Sequence, residues 1–402
     1  EMRLRQLTGL EQDRLRAEYE EIMKLITYLK ELLASKEMRM QVIKDELTEI
    51  RDKYGDERRS QIEYSGGDVS IEDLIADESV VITISHAGYI KRTSLSEYKT
   101  QNRGGVGQKS AGTRDQDFLE HLFVATNHQY LMYFTQKGKC YWMRVYEIPE
   151  GTKTSKGRAI QNLINIESDD KVKAFICTQD LKDQDYINSH YVIMATKQGQ
   201  VKKTPLEQYS RPRQNGINAI TIKEDDELIE AKLTTGNSQV LLAVKSGKLV
   251  RFEEEKTRPM GRTASGVRGI TLADEKDEVI GMVSIDKDHV TESQILVVTE
   301  NGYGKRTKLV DDDGEDVYRI TNRGGKGVKT LNITEKTGAL IAINNVTDAD
   351  DLMIINKSGL TIRMMVSDLR VMGRATQGVR LINIKGNDSI AAVTKVLRED
   401  EE

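Results

Sequence analysis

The sequence predicts a mainly β protein, six small antiparallel sheets in a propeller-like ring, preceded by an α-helical coiled-coil segment. Three observations carry this. A hairpin of the form apolar strand, polar turn with glycine, second strand recurs six times, with turn glycines Gly88, Gly138, Gly199, Gly247, Gly302 and Gly359. A second glycine follows each, at Gly107, Gly157, Gly216, Gly266, Gly327 and Gly378, with gaps of 19, 19, 17, 19, 25 and 19 residues. The N-terminal stretch instead places apolar residues in steps of four and three.

That stretch reads as helix. Thr8-Gly9-Leu10-Glu11 has capping-box form, in which hydroxyl and carboxylate satisfy free backbone donors. Leu15, Tyr19, Ile22, Ile26, Leu29 and Leu33 then form a heptad stripe. Ser35 is placed to cap a second helix with Ile43, Leu47, Ile50 and Tyr54 in the same pattern and Gly55 as its stop. So little helix leaves the stripe without a full cover, which implies a partner: an upstream helix or a second subunit. Residues 55–77 read as a connector, with one capped turn over Ser70–Ile75. The expected domains are 1–64, helical segment and connector, and 65–402, the ring with a short acidic tail.

Within the ring, hairpins such as Tyr191–Thr204 and Val240–Phe252 recur every 48 to 61 residues. After most second glycines comes another apolar stretch, as in Ala159–Ile166, Val267–Leu272 and Val379–Ile384. One such sheet cannot bury its own face, so six must stack around an axis. An irregular sandwich would not explain paired glycines at fixed offsets.

Composition narrows the functions. The 402 residues are 38% hydrophobic and 31% charged, enough for sizeable cores. No apolar run is long enough to span a bilayer and no signal peptide opens the chain, so no membrane partner is expected. Two cysteines, Cys140 and Cys177, offer no disulfide framework, which points to a reducing cytoplasm. The five histidines are scattered and nothing has metal-ligand spacing, so neither a metal nor a catalytic group is expected. The net charge of −4 is uneven: residues 1–76 hold −5, the tail 398–402 holds −3, and the body holds +4.

That body charge is periodic. Four residues beyond each turn glycine stand Arg92, Trp142, Lys203, Arg251, Arg306 and Arg363, with Lys91, Lys202 and Lys305 beside them. Strands alternate their faces, so a fixed offset predicts equivalent surfaces on successive blades. The second-glycine loops add Arg103, Lys109, Lys156, Arg158, Arg211, Arg213, Arg262, Arg268, Arg323, Lys326, Lys329, Arg374 and Arg380. The expectation is a basic outer belt that a duplex can follow, bound through phosphates and largely blind to sequence.

Two loops stand out: Gln101-Asn102-Arg103-Gly104-Gly105-Val106-Gly107 and Thr321-Asn322-Arg323-Gly324-Gly325-Lys326-Gly327. Their glycines allow tight turns with N–H groups near a ligand, and arginine supplies a phosphate-matched fork. They read as anion-holding loops. A nucleotide P-loop does not fit, because no glycine directly precedes the lysine ahead of Ser110 or Thr330 and a strand, not a helix, is expected after the second loop.

Together these residues resemble the A subunits of bacterial DNA gyrase over nearly the whole chain. Arg5–Glu11 and Tyr54–Arg59 are similar to the end of that family's breakage-reunion domain, and residues from about 78 onward to its C-terminal β-pinwheel. Ser155–Ile160, Met260–Gly269 and Met372–Arg380 are family-like loops. Gln101, Arg103, Gly104, Gly105 and Gly107 match the family's gyrase-A box, with Asn102 and Val106 where basic residues are usual. The resemblance implies a non-catalytic, DNA-wrapping fragment of an ATP-dependent type II topoisomerase that supercoils DNA. The partners it implies are double-stranded DNA, an A-subunit homodimer in an A2B2 holoenzyme, and the gyrase B subunit. The cutting tyrosine and the ATP and magnesium sites would lie elsewhere in that assembly, with no cofactor on this chain. Two alternatives stay open: the topoisomerase IV counterpart, which unlinks DNA, and a propeller whose rim grips an acidic protein.

Overall fold

Apolar runs without alternation mark strands covered on both faces, and the middle strands of the repeats are of this kind. The computed structural model describes residues 9–57, 60, 72–85, 87–95, 119–152, 155–167, 169–179, 181–357, 361–384 and 388–397. The chain divides into two compact units, 1–68 and 69–402.

In the first unit, α1 spans Gly9–Ala34 and α2 spans Lys36–Tyr54. Ser35 joins them, and its hydroxyl accepts from the Met38 N–H at 3.3 Å, as the sequence predicts. Gly55 follows α2 as its C-cap. The stripe residues Leu15, Tyr19, Ile22, Ile26, Leu29 and Leu33 are all exposed, as are Ile43, Leu47, Ile50 and Tyr54. The two helices therefore do not cover each other's apolar faces. Thr8 and Ser70, the expected caps upstream and in the connector, lie outside the described residues.

The second unit holds six sheets. Blade one runs Leu119–Thr126, Ser79–Ser85, Tyr89–Ser94 and Arg158–Ala159. Blade two runs Val172–Thr178, Tyr130–Thr135, Lys139–Arg144 and Ile217–Asn218; blade three runs Leu228–Thr234, Tyr191–Thr196, Gln200–Pro205 and Val267–Arg268. Blade four is Val279–Asp286, Ser238–Val244, Lys248–Glu253 and Val328–Lys329; blade five is Leu340–Val346, Gln294–Thr299, Tyr303–Lys308 and Val379–Arg380. Blade six shows three strands among the described residues, Ile390–Leu397, Asp350–Asn356 and Thr361–Met365. From blade two to blade six the first-named strands touch in succession, and Ile390–Leu397 meets Leu119–Thr126. They line the hub, and each fourth strand lies at the rim.

In blades one to five the rim strand comes from the next repeat. Gly157 leads into Arg158–Ala159, which pairs with Ile90 and Tyr89 of blade one. Gly266 leads into Val267–Arg268, which pairs with Val201 and Gln200 of blade three. Only two residues pair, fewer than the apolar stretches in the sequence suggest. The apolar residues that follow turn inward instead, placing Ile160, Ile220, Ile270, Leu331 and Leu381 in the layers between blades.

Alternation along each middle strand builds those layers. Leu131 and Tyr133 pack toward blade one, while Met132 and Phe134 pack toward blade three. Val240, Leu242 and Val244 pack toward blade three, while Leu241 and Ala243 pack toward blade five. Each strand is thus shared by two cores, which removes both of its faces from water.

The second glycines have a steric cause. Gly157, Gly216, Gly266, Gly327 and Gly378 all have positive φ, between 65° and 87°. A Cβ on them would meet the carbonyl oxygen of Ile90, Cys140, Val201, Leu249 or Gly304 at 2.5–2.9 Å. Those residues lie two beyond the turn glycine. The pair of glycines therefore marks where one repeat seats its rim strand on the previous hairpin, and only glycine fits there.

Candidate nucleic-acid interface

The row of cations counted from the turn glycine does not form the expected belt. Beside it the next repeat lays down a strap before its rim strand, in parallel bridges of Arg92 with Glu150, Lys203 with Pro259, Arg251 with Ile320 and Arg306 with Val371. That strap covers the side chains, and backbone carbonyls and carboxylates satisfy them.

Arg92 donates from Nε to the Ile148 carbonyl at 2.8 Å and pairs with Glu150 at 3.2 Å. Lys203 pairs with the fully buried Glu254 at 3.4 Å. Arg251, 2% exposed, donates to Gln239 Oε1 from Nε, and to Asp316 and the Tyr318 carbonyl from Nη1, each at 2.8 Å. Arg306 donates to the Leu369 carbonyl and pairs with Asp348. In blade six no strap residue is bridged to Arg363 among the described residues, and it pairs at the surface with Asp351 at 2.7 Å. Trp142 packs against a core, and Arg144 takes over the ion pairing in blade two, with Glu72 at 2.7 Å. A buried charge persists only where it is paired and hydrogen-bonded.

The adjacent lysines are also internal, and they hold loops. Lys91 Nζ donates to the carbonyls of Thr152 and Ser155 at 2.8 and 3.0 Å. Lys202 Nζ donates to those of Ala219 and Arg262, and Lys305 Nζ to the Gly373 carbonyl and the Thr376 hydroxyl. Burial pushes Lys202 down to about 7, with the nearby Arg262 adding to it, and pushes Lys305 down to about 8. A neutral amine still carries two hydrogens, one for each acceptor. Lys91, Arg92, Lys202, Lys203, Arg251, Lys305 and Arg306 are thus internal braces, where the sequence reading expected a surface row.

The exposed cations follow the second glycine. Four residues before it stand Arg262, which is half-buried, and the exposed Arg323 and Arg374; two after it stand Arg268, Lys329 and Arg380, all exposed. Eight before it stand Arg258, Arg319 and Arg370, all exposed, which the turn-glycine alignment passed over. Aligning the repeats on the second glycine would have found them. These nine cations form three rows across the rims of blades three, four and five. Lys156 and Arg158 are exposed on blade one, and Arg211 and Arg213 on blade two.

Hydrogen bonds join consecutive rim loops. Thr221 N–H donates to the Ala264 carbonyl at 3.2 Å, Thr271 N–H to Gly325 at 2.9 Å, and Asn332 N–H to Thr376 at 3.1 Å. The Thr321–Gly327 loop shows what its glycines do. Gly324 has φ +82° and donates its N–H to the Gly269 carbonyl at 2.6 Å. Arg323 donates to the carbonyls of Lys256 and Arg268 at 2.9 and 3.2 Å, and Lys326 stays exposed. These glycines dock the loop on the neighbouring rim strand, so the Gly324 N–H is not aimed at an anion. Gln101, Arg103, Gly104, Gly105, Gly107 and Lys109 lie outside the described residues.

Six stretches of the chain, 79–126, 129–179, 190–235, 239–286, 293–347 and 350–396, match the family described as the DNA gyrase C-terminal domain, beta-propeller. The chain belongs to that family. Each matched stretch corresponds to one blade and ends on a hub strand. Among curated relatives, the DNA gyrase A protein of Staphylococcus epidermidis (strain ATCC 12228) is 45% identical over 402 residues, all of this chain and 44% of that protein. Its counterpart from Staphylococcus aureus (strain NCTC 8325) is 45% identical over 403 residues, with the same coverage. This gyrase-family chain therefore spans less than half the length of those relatives. Among solved structures, the C-terminal domain of DNA topoisomerase IV superposes with TM-score 0.66 at 27% identity, covering 81% of this chain and 95% of that one. The DNA gyrase A C-terminal domain superposes with TM-score 0.62 at 24% identity, covering 80% and 100%. Both carry the same ring fold. No helix among the described residues is long and apolar enough to cross a membrane.

Proposed function

We propose that the ring wraps duplex DNA along its rim as part of a gyrase A protein. The nine cations in three rows on blades three to five carry this reading. Six lie on loops or straps outside the sheet and three, Arg268, Lys329 and Arg380, on the two-residue rim strands, so a bent duplex passing along the rim meets cations at each of these blades. Binding is through phosphates, with affinity falling by about 0.9 log units per log unit of salt for each phosphate contacted. The contact set is Lys156, Arg158, Arg211, Arg213, Arg258, Arg262, Arg268, Arg319, Arg323, Lys326, Lys329, Arg370, Arg374 and Arg380, with Arg363 at the edge. Gln101, Arg103, Gly104, Gly105 and Gly107 enter it from the resemblance to the gyrase-A box alone.

In this reading residues 1–64 end the breakage-reunion domain and present their apolar stripe to helix outside this chain. Residues 65–402 wrap DNA for a cytoplasmic A2B2 holoenzyme whose B subunit hydrolyses ATP with magnesium. This chain itself would hold no cofactor and no catalytic group. Relatives named as gyrase at 45% identity across the whole chain support supercoiling over unlinking as the activity served. The test is the linking number of relaxed plasmid closed in the presence of the chain at two salt concentrations. A salt-sensitive shift is expected; binding without any topological change would sink the proposal.

A further inference from the structure

The rim loops of blades two and three enclose a cavity of about 290 Å³, lined by Glu207, Gln208, Arg211, Arg213, Ile217 and Arg262. Among the described residues none of the three guanidiniums is paired with a carboxylate. Three like charges around one small space repel one another, and the single Glu207 does not balance them. We propose that this cavity binds one phosphodiester group of duplex DNA, held by Arg211, Arg213 and Arg262. The proposal deepens the DNA-wrapping reading and rests on it.

The chemistry is that of guanidinium forks, which match the oxygens of phosphate better than lysine does. The two walls come from different repeats. Arg211 and Arg213 precede Gly216 in the loop that seats the rim strand of blade two, and Arg262 precedes Gly266 in the loop of blade three. They are tied from behind. Fully buried Lys202 donates to the carbonyls of Ala219, on the first wall, and Arg262, on the second, both at 2.5 Å. Gln208 Oε1 accepts from the Arg262 N–H at 3.1 Å, and the Thr221 hydroxyl donates to the Thr263 carbonyl at 2.6 Å. The arginines are therefore held near one another before any ligand arrives, which lowers the ordering cost of binding. Lys202 is a positioning residue for this site.

Thermal unfolding of the full chain in inorganic phosphate against chloride, at matched ionic strength, tests the site. The wild type should be stabilised by phosphate. Arg262→Gln and the double variant Arg211→Gln, Arg213→Gln should lose that stabilisation, while Arg374→Gln, on the rim of blade five, keeps it. Lys202→Met should lose it with all three arginines present. A phosphate effect intact in Arg262→Gln overturns the proposal, and one lost equally in Arg374→Gln marks an adventitious ion only. On a duplex long enough to wrap, Arg262→Gln should reduce the salt slope by about 0.9, making affinity about 3.5-fold less sensitive between 50 and 200 mM salt. Adding the Arg211 and Arg213 changes should lower the slope no further, because one phosphate is involved. A wild type that wraps while Arg262→Gln keeps its slope sinks this site alone. One that shows the phosphate effect but never binds duplex sinks the wrapping reading and the DNA ligand with it.

Discussion

Arg251→Met separates internal braces from DNA contacts. The Arg251 side chain is 1% exposed, whereas Asp316 is 40% exposed and stays solvated when its partner goes. The loss falls on Gln239 Oε1, which accepts from both Nε and Nη2, and on the Tyr318 carbonyl. Each buried acceptor left empty costs about 1–3 kcal/mol. Methionine refills much of the apolar stem, so little cavity cost is added. The sum is about 3–4 kcal/mol, at the lower end of the roughly 3–5 expected for a broken buried pair because one partner keeps its water. That corresponds to about 5–10 °C in melting temperature, read by circular dichroism. Gel shifts across a salt series should give the wild-type slope. A variant that melts like the wild type and lowers the slope by about one would place Arg251 on phosphate and refute the reasoning.

Three further outcomes follow. Arg323→Gln with Lys326→Gln should lower the salt slope by about 1.8 with only a small drop in melting temperature, since neither is paired with a carboxylate among the described residues and the two carbonyl contacts that Arg323 loses are exposed to water; an unchanged slope would take the blade-four rim out of the DNA path. Gly266→Ala would press a methyl group onto the Val201 carbonyl at 2.6 Å and hold alanine at φ +87°; a loss of at least 1 kcal/mol in denaturant unfolding is expected from the backbone strain alone, and a neutral result would contradict the seating role. Lys202 is pushed down from an ordinary value near 10.5 to about 7, so between these pH values the unfolded chain binds the extra proton and stability rises with pH. Wild type should therefore gain on Lys202→Met as pH rises from 7 to 9 in paired melting curves, and parallel curves would refute the depressed value.

The ring itself was legible in the residues. Six hairpins at similar intervals, each apolar on both faces of its middle strand, have no other way to leave water than to stack around an axis. Ser35 and Gly55 likewise announced the limits of α2, because caps act within a few residues. The paired glycines were visible too, though not their cause, which lies in a contact between Gly266 and Val201 of different strands.

The faces of the cations were another matter. Strand alternation tells which residues share a side of one sheet, but not what is laid over that side. Arg251 and Arg268 are both arginines on short β segments, and nothing local distinguishes them. A strap from the following repeat covers Arg251 and leaves Arg268 on the outermost strand, open to water. Charge, repeat and fold family were thus determined by the chain alone. Which charges reach a ligand was decided by the exchange of strands between blades, because a long-range crossover sets burial and a sequence period does not.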